Sequence, residues 1–210
     1  MTTVCPLCSN NGSSFFRDGK QHFYQCENCK GIFRDPMNFL NPIDEKKRYK
    51  HHKNHINDIG YLKFADPIIS TVKKQFNSSH QGLDYGAGHT PVISEVLKAC
   101  HYPVEIFDPL FFDNPDVLSK TYDFITCCEV MEHFYHPKKE FELLYNLLEP
   151  NGKLICMTLI YNKDIDFEYW FYKNDPTHVF LYQTETMLWI KGHFRFKSVK
   201  IENRLIIFTR

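Results

Sequence analysis

The hydrophobic positions of the sequence follow a regular alternation from residue 81 onward. Short apolar runs bounded by Gly, Pro, Asn or acidic residues predict strands, and longer stretches with apolar residues every three or four positions predict helices. The predicted strands are 82–85, 104–108, 122–128 and 153–159, followed by a hairpin of 196–202 and 205–209. The predicted helices begin at Thr90-Pro91, at Pro137 and near Thr184. This β-α-β order predicts an α/β fold, a doubly wound and mostly parallel sheet that binds ligands at the carboxyl ends of its strands.

One further helix is predicted upstream of residue 81. Asp66 and Pro67 have the residue types of an N-cap and a first helical position. The apolar stripe of this helix comprises Ile68, Ile69, Val72 and Phe76. We therefore expect residues 65–210 to form one α/β domain, which is long enough to bury a substantial core.

A polar segment precedes this helix. Residues 41–55 contain five Lys/Arg and three His, and Tyr49 is their only aromatic residue apart from these histidines. Such a segment can contact phosphate or an acidic group of a substrate. It is also typical of a solvated connector or an exposed helix face, and the scarcity of aromatic residues favours that interpretation. We expect residues 36–64 to be a connector with a helical segment.

Four of the eight cysteines have the spacing of a metal site. Cys5 and Cys8 form one C-x2-C pair, and Cys26 and Cys29 form another after 17 intervening residues. Four thiolates complete a closed tetrahedral Zn²⁺ site, which is structural and not catalytic. Two disulfides are disfavoured in a reducing compartment, and a redox C-x2-C pair is disfavoured because a thioredoxin-like pattern is absent. We expect residues 1–35 to form a zinc ribbon that needs the metal to fold, since so short a segment buries little core.

The charge of the sequence limits the classes of binding partner that it can attract. The 210 residues carry 25 Lys/Arg and 25 Asp/Glu, so the formal net charge is zero. Residues 1–80 hold 12 basic and 7 acidic residues, whereas residues 81–210 hold 13 and 18. The balanced total excludes strong overall attraction to nucleic acid, and the basic first zone leaves a local contact open. With no run of membrane-helix length and no signal-peptide pattern, a cytoplasmic globular protein is expected.

The loop after the first strand of the α/β domain has the residues of a cofactor site. Gly86 and Gly88 allow a tight turn and a close approach of the backbone to a ligand. Asp108, at the end of the next strand, is placed to bind ribose hydroxyls. A dinucleotide site would need a third glycine where Pro91 stands, and Asp84 would repel a pyrophosphate. Asp84 instead suits the ammonium of a cofactor that carries an amino acid.

These residues resemble motif I of class I S-adenosylmethionine-dependent methyltransferases (methyltransferase type 11/23-like). Similar segments are 129–133, 148–152 and the terminal hairpin, and the resemblance covers about 65–210. It implies a Rossmann-like fold with an antiparallel last strand and S-adenosylmethionine as cofactor, next to the N-terminal zinc ribbon. The cofactor-binding residues that it implies are Asp84, Tyr85, Gly86, Gly88, Asp108, Pro109, Cys128 and Glu129.

Two features depart from the family pattern. The third glycine of motif I is missing, and the span from Asp108 to Tyr122 is too short for a helix, a strand and a helix. The third strand is therefore predicted to be degenerate or missing, and Phe111, Phe112 or Asp113 would replace the usual adenine-contacting acid. A fold that has lost cofactor binding is the alternative, which the retained Asp and Gly residues disfavour.

Three histidines are candidates for the reacting site. His133 and His136 follow strand 122–128, and His178 lies in the loop 161–178. Each could act as a general base if the acceptor carries a proton, and each could instead brace a loop. The aromatic segment 167–172 could form a lid or a wall for the acceptor, or a satellite core against the ribbon. Cys127 and Cys128 are more typical of buried strand residues than of nucleophiles.

Together these features predict an S-adenosylmethionine-dependent methyltransferase whose acceptor is unidentified. A small-molecule acceptor is favoured over RNA, and no membrane partner is expected. The alternatives are an RNA base methyltransferase that uses the basic N-terminal zone, and a non-catalytic zinc-ribbon binding protein on a methyltransferase scaffold.

Overall fold

The computed structural model describes residues 3–50 and 56–210, which form two sheets and five α-helices. The strands are β1 (Thr3–Val4), β2 (Asn11–Arg17), β3 (His22–Cys26), β4 (Ile32–Arg34), β5 (Gly82–Tyr85), β6 (Val104–Phe107), β7 (Tyr122–Cys128), β8 (Leu148–Met157), β9 (Phe180–Leu181), β10 (Ser198–Glu202) and β11 (Leu205–Thr209). The helices are α1 (Pro42–Lys50), α2 (Ile59–Gln75), α3 (Val92–Ala99), α4 (Pro137–Asn146) and α5 (Thr184–His193). Residues 51–55, the end of the polar segment, lie outside the described residues.

The larger sheet has the predicted α/β architecture. Its six strands have the order β10-β11-β8-β7-β5-β6. Strands β5 to β8 are parallel, and β10 and β11 close the sheet as an antiparallel hairpin next to β8. Between β6 and β7 the chain forms only the short 3₁₀ helix Pro115–Ser119, which confirms that the third strand of the family is missing here. Strand β6 is therefore the edge of the sheet.

Helix α2 begins earlier than the sequence predicted. Asp58 caps it, with its carboxylate accepting hydrogen bonds from the backbone N–H groups of Gly60 (2.8 Å) and Tyr61 (3.1 Å). Pro67 lies inside the helix, so the predicted start at Asp66 and Pro67 is wrong. The residues before Pro67 form about two turns from the Asp58 cap, and the helix continues through Pro67, which cannot donate a backbone hydrogen bond. No helix among the described residues is long and apolar enough to cross a membrane.

The smaller sheet joins the cysteine-rich segment to the rest of the chain. Strands β1 to β4 form an antiparallel ribbon, and β9 continues their sheet. Ile32 pairs with Leu181, and Phe33 pairs with Phe180. The ribbon is therefore held to the larger unit by backbone hydrogen bonds in addition to side-chain packing.

The aromatic segment 167–172 belongs to a satellite core. Phe167, Trp170 and Tyr172 are buried against Phe23 of β3 and Leu181 of β9. None of the residues 167–172 lines the main cavity of the described residues. Phe167, Trp170 and Tyr172 therefore form the predicted satellite core between the ribbon and the α/β domain, whereas Tyr169 and Phe171 are exposed.

Candidate active site

A cavity of about 590 Å³ lies at the carboxyl ends of β5, β6 and β7. Its walls come from the loop after β5, the segment after β6, the segment after β7, and helix α1. Of the described residues that line it, seven are Phe or Tyr, five are Asp or Glu, and none is Lys or Arg. The carboxylates are Glu45, Asp108, Glu129, Glu140 and Asp175. This position in a parallel sheet is the one at which α/β proteins bind their ligands.

The loop after β5 brings its backbone to the cavity. Gly86 and Gly88 have φ of +74° and +66°, which side chains rarely adopt. A Cβ at Gly86 would lie 2.5 Å from Val130, whereas a Cβ at Gly88 would have no atom within 4 Å. Gly86 is thus required by packing, and Gly88 exposes its backbone to the open cavity.

Asp108 ties this loop to the end of β6. One carboxylate oxygen accepts a hydrogen bond from the Gly88 N–H at 2.9 Å. The other accepts from the N–H groups of Leu110 and Phe111, at 2.8 and 3.1 Å. The carboxylate is 8% exposed and lines the cavity with both oxygens oriented by the backbone.

Asp84 does not line the cavity. It is 3% exposed, and its two oxygens accept hydrogen bonds from the Thr126 hydroxyl (2.7 Å) and the Ser94 N–H (3.3 Å). Burial raises its pKa to about 6. Asp84 was expected to contact the amino group of a bound cofactor. Its side chain instead lies beneath the loop, where it joins β5 to β7 and α3.

Two carboxylates follow β7. Glu129 lines the cavity, and its Oε1 is buried without a hydrogen-bond partner among the described residues. Its Oε2 pairs with Nη2 of Arg204 at 2.8 Å. Glu132 is fully buried, and the Tyr172 hydroxyl lies between the two carboxylates, hydrogen-bonded to Glu132 and 3.2 Å from Glu129. Burial raises the pKa of both acids to about 7.

His133 and His178 lie side by side at the cavity wall, with ring centroids 4.8 Å apart. Nδ1 of His133 is 2.9 Å from the Thr177 carbonyl, and Nδ1 of His178 is 2.7 Å from the Tyr172 carbonyl. A carbonyl only accepts, so each Nδ1 carries the proton and each neutral ring has its lone pair on Nε2. Burial lowers the pKa of both rings, that of His178 to about 3. Both are therefore neutral at pH 7.

The remaining predicted residues have varied surroundings. Tyr85 and Pro109 line the cavity, and the Tyr85 hydroxyl donates to Glu140 at 2.6 Å. His136 also lines it but is exposed at the N-cap of α4. Cys128 lines it too, with a thiol whose pKa burial raises well above the usual value. A protonated thiol is a poor nucleophile.

Helix α1 covers part of the cavity, which the sequence did not predict. Glu45 and Tyr49, four residues apart, share the face that lines the cavity. The two oxygens of Glu45 accept from the hydroxyls of Tyr49 and Tyr135, each at 3.1 Å. The Tyr49 ring packs edge-on against His133, with centroids 5.5 Å apart. The interpretation of this segment as a solvated connector is therefore wrong for one face of α1. The four-residue spacing of Glu45 and Tyr49 was the available signal.

The four cysteines of the ribbon converge as their spacing predicted. Their Sγ atoms all lie within 4.8 Å of one another. Cys5 and Cys29 are 3.6 Å apart and Cys8 and Cys26 are 3.2 Å apart, too far for S–S bonds. Four sulfur ligands at such separations fit a tetrahedral zinc ion with Zn–S bonds of about 2.3 Å.

Comparison with known families identifies the class of protein. A family model described as "Methyltransferase domain" matches residues 49–200. The chain therefore belongs to this methyltransferase family, which confirms the enzyme class predicted from the sequence. No curated protein matches the sequence.

Solved structures share the fold at low identity. An O-methyltransferase family protein from Burkholderia thailandensis matches with a TM-score of 0.53 and 15% identity, over 79% of this chain and 61% of its own. The pyocyanin biosynthetic protein PhzM has a TM-score of 0.51 and 13% identity, over 78% and 61%. Phosphoethanolamine N-methyltransferase 2 from Haemonchus contortus, in complex with S-adenosyl-L-methionine, has a TM-score of 0.54 and 12% identity, over 82% and 48%. This chain thus spans less than two thirds of these proteins, and the similarity concerns the fold.

Proposed function

We propose that this protein transfers the methyl group of S-adenosylmethionine to a small-molecule acceptor bound in the cavity under helix α1. One observation carries the proposal: a single cavity contains both the Gly86–Gly88 loop with Asp108 and the neutral pair His133 and His178. The first group suits a nucleoside-containing donor, and the second suits an acceptor that must lose a proton.

The described residues fit S-adenosylmethionine. Gly88 leaves open space where a side chain would stand, so a ligand can approach its backbone. Asp108 offers oriented carboxylate oxygens for the ribose hydroxyls, and the buried, unpartnered Oε1 of Glu129 suits the ammonium of the methionine part. The bound cofactor of the Haemonchus contortus enzyme supports the same donor here. Tyr85, Gly86, Pro109 and Cys128 remain proposed members of this site, and Asp84 is proposed to support the loop from beneath.

The donor supplies an activated methyl group on a sulfonium, so the protein must mainly align the acceptor and exclude water. Helix α1 covers the cavity and serves the second task. With the donor bound, the neutral imidazole Nε2 of His133 or His178 would accept the proton of the acceptor, while the methyl carbon would exchange its bond to sulfur for a bond to the acceptor and S-adenosylhomocysteine would leave. An acceptor oxygen becomes strongly acidic on methylation, so even a ring of lowered pKa can accept its proton. His136, exposed at the cavity rim, is the third proposed candidate for this role.

The cavity favours a small acceptor over RNA. No Lys or Arg lines it within the described residues, and three of its five carboxylates, Glu45, Asp108 and Glu140, form no ion pair there, so a phosphate backbone would be repelled. Its aromatic and hydrogen-bonding lining suits a neutral or cationic small molecule. The ribbon, with a structural zinc ion on Cys5, Cys8, Cys26 and Cys29, is proposed to support the site and not to bind RNA.

Calorimetry with the full chain tests the donor. We expect S-adenosylmethionine to bind with a single site, and no binding at millimolar cofactor would overturn the proposed function. A methyl-transfer assay with hydroxyl- and amine-bearing small molecules, and with total RNA at low and physiological salt, then tests the acceptor. Methylation of RNA alone would favour the RNA alternative, and cofactor binding without any transfer would favour a binding protein.

A further inference from the structure

One buried side chain of the ribbon reaches the candidate active site. Arg34, the last residue of β4, follows Cys29 by five positions and is 3% exposed. Its Nε lies 3.1 Å from the His178 carbonyl. Its Nη2 lies 2.8 Å from the Lys173 carbonyl and 2.9 Å from the Asp175 carbonyl. Three carbonyls of one short segment, residues 173–178, thus converge on one guanidinium.

Segment 173–178 supplies two residues of the cavity wall, Asp175 and His178, and orients a third, His133. The Asp175 carboxylate binds Arg48 of α1, and the His178 ring forms part of the wall. The Thr177 carbonyl accepts the Nδ1 proton of His133 at 2.9 Å, which fixes the tautomer of that ring. A shift of this segment would therefore move both histidines and the anchor of α1.

The ribbon in turn holds Arg34 in place. Its backbone N–H donates to the Val179 carbonyl at 2.9 Å, next to the β4–β9 pairing. Its guanidinium lies 4.7 Å from the centre of the Phe23 ring of β3. None of the ion pairs of the described residues includes Arg34, so its charge is directed at the carbonyls.

The residue type matters for this arrangement. A guanidinium has five N–H donors in a rigid, planar fork and stays charged when buried. It can therefore hold three carbonyls whose positions are fixed relative to one another. A lysine ammonium is a compact point charge and cannot reproduce that geometry.

We infer that Arg34 is a positioning residue: it fixes segment 173–178 so that His178 and, through Thr177, His133 face the acceptor, which makes the ribbon a working part of the active site. This role rests on the proposed function, in which the two histidines serve the acceptor. It gives the ribbon a task beyond its own folding, because a distortion of the metal site is transmitted through β4 to the reacting groups.

The test is side-chain NMR of His178 in the full chain with zinc bound, assigned with His178→Asn. The titratable and charged groups around His178 are His133, Glu132, Asp175, Tyr172 and Arg34, and Asp175 in turn binds Arg48. In the unchanged protein we expect the Nδ1–H tautomer. In Arg34→Met we expect mixed tautomers and a pKa near that of an exposed histidine, about 6.5. Arg17→Met, an exposed position on β2, is the matched control and should leave His178 unchanged.

Several results would overturn this role. If Arg34→Met stays folded with full zinc content and the His178 signals do not move, Arg34 only stabilises the ribbon. If Arg34→Met does not fold, Arg34→Lys carries the test, with a smaller shift of the same sign expected and no shift contradicting the role. Removal of zinc from the wild-type protein with a chelator should reproduce the change at His178. If the His178 signals stay the same without zinc, the ribbon does not position His178. The NMR signals of His178 are measured without S-adenosylmethionine. A failure of the proposed function, seen as no cofactor binding in calorimetry, is therefore distinguishable from a failure of the role of Arg34.

Discussion

Arg48 and Asp175 form a bidentate ion pair that joins helix α1 to segment 173–178. Nη2 of Arg48 lies 2.7 Å from one carboxylate oxygen of Asp175, and Nε lies 3.0 Å from the other. Burial alone would raise the pKa of Asp175, but hydrogen bonds from Arg48 and Thr177 outweigh it and hold that pKa well below its usual range. The Asp175 carboxylate is therefore ionised at neutral pH, and its pair with Arg48 links α1 to this loop.

Loss of the Arg48–Asp175 ion pair should destabilise α1. We expect Arg48→Met to speed hydrogen exchange of the α1 amides several-fold, since a partly exposed ion pair contributes about 1 kcal/mol or less. Exchange in β5 to β8 should not change. Lys50→Met is the control, because Lys50 is an exposed basic residue of the same helix. Equal exchange in Arg48→Met and the unchanged protein would show that α1 is held by other contacts.

Metal analysis tests the ribbon. We expect about one zinc ion per chain in protein purified without chelator, since four thiolates form one closed site. Cys29→Ser should lose stoichiometric zinc and lower the melting temperature, whereas Cys100→Ser, at an exposed position outside the ribbon, should do neither. Zinc-free protein with an unchanged melting temperature would contradict the metal site.

Substitution of Asp108 tests the donor site. We expect Asp108→Ala to weaken S-adenosylmethionine binding by about 1–3 kcal/mol, or roughly 5- to 150-fold, through lost hydrogen bonds to the ribose and a freed Gly88 N–H. Asp108→Asn retains acceptor oxygen and should lose less. Asp113→Ala, at an exposed position on the same segment, should bind normally in calorimetry. The same affinity in all three variants would remove Asp108 from the site.

The pH dependence of binding tests Glu129. Its pKa of about 7, raised by burial, means that the carboxylate is protonated progressively as the pH falls below 7. A protonated Glu129 cannot pair with the ammonium of the donor, so affinity should fall by up to about tenfold per pH unit on the acid side. Glu129→Gln should bind more weakly at pH 7.5 and lose this dependence, while Glu142→Gln, exposed on α4, should keep it. An acid limb that persists in Glu129→Gln would assign it to another group.

Local patterns predicted much of the fold. The runs that became β5, β6 and β7 are short, apolar and bounded by turn residues, and the four cysteines converge because their spacing leaves few alternatives. The missing third strand was also predicted, since the 13 residues between Asp108 and Tyr122 cannot hold three elements. The strands, the cysteine cluster and the missing strand were predictable because each depends on residues that are close together in the sequence.

Features set by distant contacts were not predicted. The Asp66-Pro67 pair predicts a later start for α2 than the structure shows, because Asp58 caps the helix and Pro67 lies within it. Asp84 has the right position for a ligand contact, but its burial under Ser94 and Thr126 follows only from the packing of α3 and β7. Arg34 is 144 residues from His178 in sequence. The hydrophobic periodicity of a sequence depends on neighbouring residues, so it does not predict a contact between residues this far apart.

The pairing of β4 with β9 has a consequence for the order in which the chain can mature. The four cysteines of the cluster are complete at Cys29, before any strand of the larger sheet. The sheet of the ribbon, however, gains its last strand only at Phe180 and Leu181, roughly 150 residues later. Until then, the edge of β4 and the ring of Phe33 have no partner from β9. The sheet of the ribbon is therefore completed only after the α/β strands that separate β4 from β9 have been made.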